Sequence, residues 1–183
     1  MKDGVVLNIN GDHYKFSLGD RRGQIPYSET LVQTLRDRIG LQGKLGPTLR
    51  EKIGLTDPEP PLSCGEGFCG RCAVLIDGKA IASCMTLTSE CGGKKIVTLE
   101  GLRNKKTGEP DPVVNAVLDY PGFICRFCTP GIIAASQSLF NQNPHPSESE
   151  IQAGLAGNYC RLEKICGIRT QLVAHLAKVS ASH

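Results

Sequence analysis

Nine cysteines stand out in a chain of 183 residues that has no tryptophan. Cys64, Cys69 and Cys72 fall in the glycine-rich stretch Ser63-Cys64-Gly65-Glu66-Gly67-Phe68-Cys69-Gly70-Arg71-Cys72, and Cys84 follows twelve positions later. Cys125 and Cys128 bracket Arg126-Phe127, Cys160 and Cys166 lie further on, and Cys91 stands alone. Thiolates gathered in loops are soft ligands for zinc or iron, whereas structural thiols are spread among apolar stretches. Disulfides fit poorly. Nine is odd, and Met1 to Asn10 has no apolar stretch of signal-peptide length, so the expectation is a soluble cytoplasmic protein whose thiols stay reduced. His13, His145, His175 and His183 show no ligand spacing.

The first group, C-x4-C-x2-C with a distant fourth Cys, has the spacing of a plant-type [2Fe–2S] loop. Such a loop must turn several thiolates onto one small anionic cluster while backbone N–H groups point at the sulfurs. Gly65, Gly67 and Gly70 permit the close approach and positive φ that this requires. Zinc also accepts four thiolates, but its knuckles pair one C-x2-4-C with another, and here three ligands fall in nine residues. The second group, Cys125-Arg126-Phe127-Cys128, precedes the helix start Thr129-Pro130, where the dipole and free N–H groups favour thiolates. By itself a C-x2-C fits zinc, a redox disulfide or coincidence. In company with Cys160, a second iron–sulfur cluster is the leading reading.

The elements that must position these thiols divide into two halves. Val5 to Asn10 reads as a strand, with Gly11-Asp12 as a turn and Tyr14 to Leu18 as its hairpin partner. Ser28 is the expected N-cap of a helix carrying Leu31, Leu35 and Ile39, and Gly40 ends it. Leu35-Arg36-Asp37-Arg38-Ile39-Gly40-Leu41 is echoed fourteen residues later by Leu49-Arg50-Glu51-Lys52-Ile53-Gly54-Leu55, a second short helix with a Thr48/Glu51 capping box. Ala73 to Ile76, the Asp77-Gly78 turn and Lys79 to Ser83 predict another hairpin, and Ile96 to Leu99 a further strand. Beyond Gly101 the pattern is helical. Val113 to Tyr120 forms one helix, Thr129 caps a second, Ser147 and Glu150 box a third, and Ile168, Leu172, Val173 and Leu176 make a last apolar face. The hinge is expected within Glu100 to Pro112. A hydrophobic content of 40% and a net charge of +3 describe a globular protein and do not mark nucleic acid or an anionic membrane as partner. No run approaches the roughly 20 residues that cross a bilayer.

With these residues in hand, the sequence resembles the small iron–sulfur subunit of the molybdenum hydroxylases, a family that includes xanthine dehydrogenase, aldehyde oxidoreductase and aerobic carbon monoxide dehydrogenase. The resemblance runs from Val5 to Ala174. It rests on Leu35-Arg36-Asp37, the Cys64 to Cys72 loop, Ser83-Cys84-Met85-Thr86-Leu87, Thr98-Leu99-Glu100-Gly101-Leu102, Phe127-Cys128-Thr129-Pro130-Gly131-Ile132-Ile133 and Gly157-Asn158-Tyr159-Cys160-Arg161. It implies an α+β chain: a β-grasp, plant-ferredoxin-like domain over residues 1–102, then an all-α four-helix domain over residues 103–183, each holding a [2Fe–2S] cluster. It further implies molybdopterin on a large partner subunit beside the helical-domain cluster, and a flavin, FAD on a medium subunit, or another acceptor beyond the ferredoxin-like cluster. The expected role is single-electron transfer between them, with no substrate site in this chain.

Three departures from the family pattern matter. The family closes its second motif with C-x-C, yet Leu162 follows Cys160-Arg161. Cys166 is the obvious substitute, although its apolar neighbours Ile165 and Ile168 also suit a buried thiol. Ile124 replaces a glutamine that contacts the pterin and cannot make its hydrogen bond. The Gly43 to Pro61 stretch is longer than usual and reads as an inserted surface element. The expected ligands are therefore Cys64, Cys69, Cys72 and Cys84 for one cluster, and Cys125, Cys128, Cys160 and Cys166 for the other. Arg71 and Arg126, inside these loops, either raise a cluster's potential or face solvent or a partner chain. Cys91 is incidental. The competing reading is a ferredoxin-like carrier or docking module with one true cluster and a degenerate helical domain.

Overall fold

In a computed structural model that describes residues 4–40, 64–104 and 106–181, five strands form one mixed sheet, and helices follow. Strands β1 (Gly4–Ile9) and β2 (Asp12–Ser17) make the first hairpin. Its turn is Asn10-Gly11, with φ of 55° and 90°, one residue before the expected Gly11-Asp12. Asn-Gly is the pair that takes positive φ at both central positions of such a turn. Strands β3 (Ala73–Ile76) and β4 (Lys79–Ala82) are joined by Asp77-Gly78 as expected. β5 (Lys95–Val97) lies in the middle of the order β2-β1-β5-β3-β4, parallel to β1 and antiparallel to β3.

Two local expectations shift for non-local reasons. Strand β5 stops before Leu99 because the Asn10 side chain takes over both groups of Thr98: Oδ1 accepts its backbone N–H at 3.0 Å and Nδ2 donates to its hydroxyl at 2.9 Å. Leu99–Gly101 then turns as a single 3₁₀ turn. Helix α1 (Leu31–Gln33), continued by a π-type turn (Thr34–Arg38), is capped by a Thr30/Gln33 box and not by Ser28. Thr30 bridges Leu87, and the Leu31 N–H donates to the Thr86 carbonyl at 2.7 Å, so the chain stays extended two residues longer.

The short β3 run is buried on both faces. Val74 and Ile76 pack with Val5, Leu7, Ile9, Leu31, Leu35 and Ile96 under α1. Leu75 points the other way, into an apolar cluster with Leu99, Val114, Ile132, Ile151 and Leu172. That second cluster is built by α2 (Pro112–Leu118), α3 (Thr129–Gln142), α4 (Glu148–Leu155), the single turn α5 (Glu163–Cys166) and α6 (Gln171–Ala181). The Ser147/Glu150 capping box starts α4 as expected, whereas α3 is capped by Cys128, one residue before Thr129. Helix α3 lies against the sheet, where the Ser138 hydroxyl accepts the Ala80 N–H of β4 at 3.0 Å. The sheet and the helices therefore share a core, and the cysteine loops sit where they meet.

The expected echo helix, its Thr48/Glu51 box and the Gly43 to Pro61 insertion lie outside the described residues. Among the described residues no helix is long and apolar enough to cross a membrane.

Candidate metal centres

The Cys64 to Cys72 loop runs directly into β3, and Gly65, Gly67 and Gly70 all take positive φ, 73°, 78° and 73°. Cys84 sits in the 3₁₀ turn Ser83–Met85 that ends β4. Ser83 fixes that turn to the loop, donating its hydroxyl to the Cys72 carbonyl at 2.7 Å. The four thiols meet as pairs, Cys64 with Cys69 and Cys72 with Cys84. Burial raises the Cys64 thiol, but the N–H groups of Glu66, Cys69 and Phe68 and the Cys69 side chain bring it down to about 7. The Glu66 N–H lies 3.4 Å from its sulfur. At Cys84, burial and then the neighbouring Cys72 push the thiol up to about 11, against one N–H from Gly67. A loop that aims backbone donors at sulfur favours the thiolate that ligates metal.

The second group is assembled from three elements. Cys125 is exposed, Arg126 takes a left-handed φ of 54°, and Cys128 is buried at the N-terminus of α3. Burial and then Cys160 push the Cys128 thiol well above its ordinary range, and Cys125 adds to this. Burial raises Cys160 as well, and its contact with Cys166 adds to this, against the Leu162 N–H and the Cys128 thiol. Leu162, standing where a cysteine was expected, thus supplies a backbone donor to the Cys160 sulfur. It also starts α5: its carbonyl accepts the Cys166 N–H at 2.8 Å. One helical turn brings residue i+4 back over residue i, so Cys166 comes back over Leu162, two residues from Cys160, and its thiol meets that of Cys160. Gly167, at φ 58°, ends the turn, and the Tyr120 hydroxyl donates to the Cys166 carbonyl. The structure thus sets Cys64 against Cys69, Cys72 against Cys84, and Cys160 against both Cys128 and Cys166, with Cys125 exposed beside them. Cys91 is buried in the first core, its thiol 3.4 Å from the Leu87 carbonyl.

Among the described residues, no three Cys, His, Asp or Glu side chains are gathered closely enough for one metal ion. In the first group the thiols meet two by two, as a two-iron cluster with two thiolates on each iron requires, whereas in the second Cys160 meets both Cys128 and Cys166 and Cys125 lies at the exposed edge. The donor set is all sulfur, which suits such a cluster. Beside Cys128, the fully buried Thr129 hydroxyl has no hydrogen-bond partner among the described residues, and a hydroxyl donor at that place suits an anionic sulfur group. The residues present therefore fit the group.

The two loops also touch. The Tyr159 N–H, next to Cys160, donates to the Cys69 carbonyl at 3.0 Å. Arg71, between Cys69 and Cys72, donates from Nη1 to the Phe127 carbonyl at 2.5 Å, and its guanidinium lies 4.5 Å from the Phe127 ring centre. Phe68 and Tyr159 meet edge to face, with ring centres 5.8 Å apart. Glycines allow the approach: a Cβ on Gly70 would lie 2.7 Å from the Gly157 carbonyl oxygen, and one on Gly131 would strike the Gly70 carbonyl and Asn158 Oδ1.

Two family models match the chain, a 2Fe-2S iron-sulfur cluster binding domain over residues 61–115 and a [2Fe-2S] binding domain over residues 98–172. The chain is 42% identical over 135 residues to a probable xanthine dehydrogenase subunit of Bacillus subtilis, covering 70% of this chain and 75% of that one. The chain belongs to the small [2Fe–2S] subunits of the molybdenum hydroxylases. It is similar also to the nicotinate dehydrogenase small FeS subunit of Eubacterium barkeri, 35% identical and covering 62% of this chain and 69% of that one. Among solved structures, quinoline 2-oxidoreductase from Pseudomonas putida 86 shares 27% identity at a TM-score of 0.68 over 98% of this chain and 96% of that chain. As a member of this family the chain is an electron-transfer part of an oxidoreductase. Sequence reasoning missed the α5 turn, the Tyr120 anchor, the Thr129 hydroxyl and the contact between the loops. Only the first had a local signal, Leu162 and Cys166 at a spacing of four before Gly167.

Proposed function

We propose that this chain wires a multi-subunit molybdenum hydroxylase with two [2Fe–2S] clusters, one held by Cys64, Cys69, Cys72 and Cys84 and the other by Cys125, Cys128, Cys160 and Cys166. Residues 1–102 form the β-grasp, ferredoxin-like domain and residues 103–183 the four-helix domain. The single observation that carries this is the contact of Cys64 with Cys69, of Cys72 with Cys84 and of Cys160 with both Cys128 and Cys166, in loops that bond directly to each other. Each cluster, when bound, supplies one-electron chemistry at a potential set by its surroundings. The chain's own part is to bury six of the eight thiols, aim N–H donors at the sulfurs, and hold the loops in contact through Tyr159 and Arg71.

The partners in this reading are a large molybdopterin-binding subunit on the helical side and a flavin (FAD) subunit or other acceptor on the ferredoxin-like side, in the cytoplasm, where thiols stay reduced. Exposed Ile124 and Ile165, each next to a proposed ligand of the helical group, suit cover by a partner chain. The contact between Cys160 and Cys166 favours a complete second ligand set over a one-cluster docking module. Purification through a tag on this chain, with molybdenum, flavin and iron measured on the eluate, tests the assembly. Molybdenum and a large partner chain should co-elute with iron; an iron-loaded chain that brings down no molybdenum would contradict it.

A further inference from the structure

Among the described residues, Arg71 is the one buried cation, with only 4% of its surface exposed. In sequence it lies between two expected ligands of the first group, Cys69 and Cys72, while its Nη1 donates to the carbonyl of Phe127, which lies between Cys125 and Cys128 of the second. Its guanidinium also stacks on the Phe127 ring, which Arg161 approaches at 5.1 Å. A buried charge acts over a longer range than an exposed one, because little water screens it. An arginine fork binds a carbonyl and a ring face together in a way a lysine cannot.

We propose that Arg71 is a positioning residue shared by both centres, buried between the two cysteine loops, where it locks Phe127 to the first loop and favours the reduced state of both groups. The proposal rests on the ligand sets given above. Reduction of either group adds one electron, taken in a titration from the added reductant, and so one negative charge; no bond is made or broken. A fixed positive charge between the groups favours that added charge in each. Arg126, by contrast, lies inside the Cys125 to Cys128 loop alone.

The test is a redox titration of the purified complex, followed by EPR of both centres, with wild-type chain, R71Q and R71K. R71Q is expected to keep its iron and both signals while both midpoint potentials fall together. At a fixed poise the reduced-to-oxidised ratio of each would drop up to tenfold, about 59 mV for a one-electron couple. R71K, which keeps the charge without the fork, is expected to shift less. A shift confined to the first centre, or no shift in either, overturns the proposal. If R71Q fails to load iron, the neutral and bulkier R71M takes its place under the same reading, and loss of iron from both neutral variants also overturns it. A wild-type complex with a single centre would instead refute the ligand sets, whereas two normal centres with unmoved potentials in R71Q refute only the role of Arg71.

Discussion

Cys166→Ala is expected to halve the iron bound by the chain, from about four atoms to about two, and to remove one of two reduced-state EPR signals. Alanine is the better replacement because a serine hydroxyl could itself ligate iron. The expectation follows from the path of the chain after Cys160. Leu162 occupies the place of a ligand, but its carbonyl starts a helical turn that carries Cys166 back to the Cys160 thiol. The Tyr120 hydroxyl and the left-handed Gly167 hold the turn closed. The double variant Leu162→Cys, Cys166→Ala moves the thiol to the C-x-C position and is expected to restore the iron, at a packing cost of about 1 to 2 kcal/mol where Leu162 meets the core. Unchanged iron and two unchanged signals in Cys166→Ala would make Cys166 a plain core thiol.

Gly131→Ala is the second large effect. Gly131 is buried in the first turn of α3, and a methyl group there would strike backbone, the Gly70 carbonyl, as well as Asn158 Oδ1. Backbone cannot rotate away as a side chain can, so the two cysteine loops must separate or the helix must shift. A destabilisation of about 3 kcal/mol is expected, read as a fall of about 6 to 12 °C in Tm. Gly154→Ala is the control. Its methyl would meet only the Leu139 side chain, at 3.3 Å, and in the last turn of α4 it should change stability by no more than about 1 kcal/mol in either direction. Equal Tm values for the two variants would show that the loop contact is not tight.

The first group of thiols was legible almost entirely from spacing, because the signals that place them are local. The three positive-φ glycines of the C-x4-C-x2-C loop and the Asp77-Gly78 hairpin that delivers Cys84 are all short-range signals. The second group was legible only in part. Cys166 could be named, but whether it reached Cys160 depended on a single helical turn and on Tyr120, which lies 46 residues from it in sequence. The same holds elsewhere. Helix α1 starts at Thr30 because of Thr86 and Leu87, β5 ends early because of Asn10, and Arg71 finds Phe127 across 56 residues. Propensity and spacing report neighbours along the chain; these features are fixed by neighbours across it.

The measurement that bears most directly on the account is metal content and EPR of the wild-type chain in its purified complex, as isolated and after reduction with dithionite. Two centres built from eight thiols predict about four iron atoms per chain, little zinc, and two distinct signals from reduced [2Fe–2S] clusters. About two iron atoms with one signal, or zinc in place of iron, would contradict it.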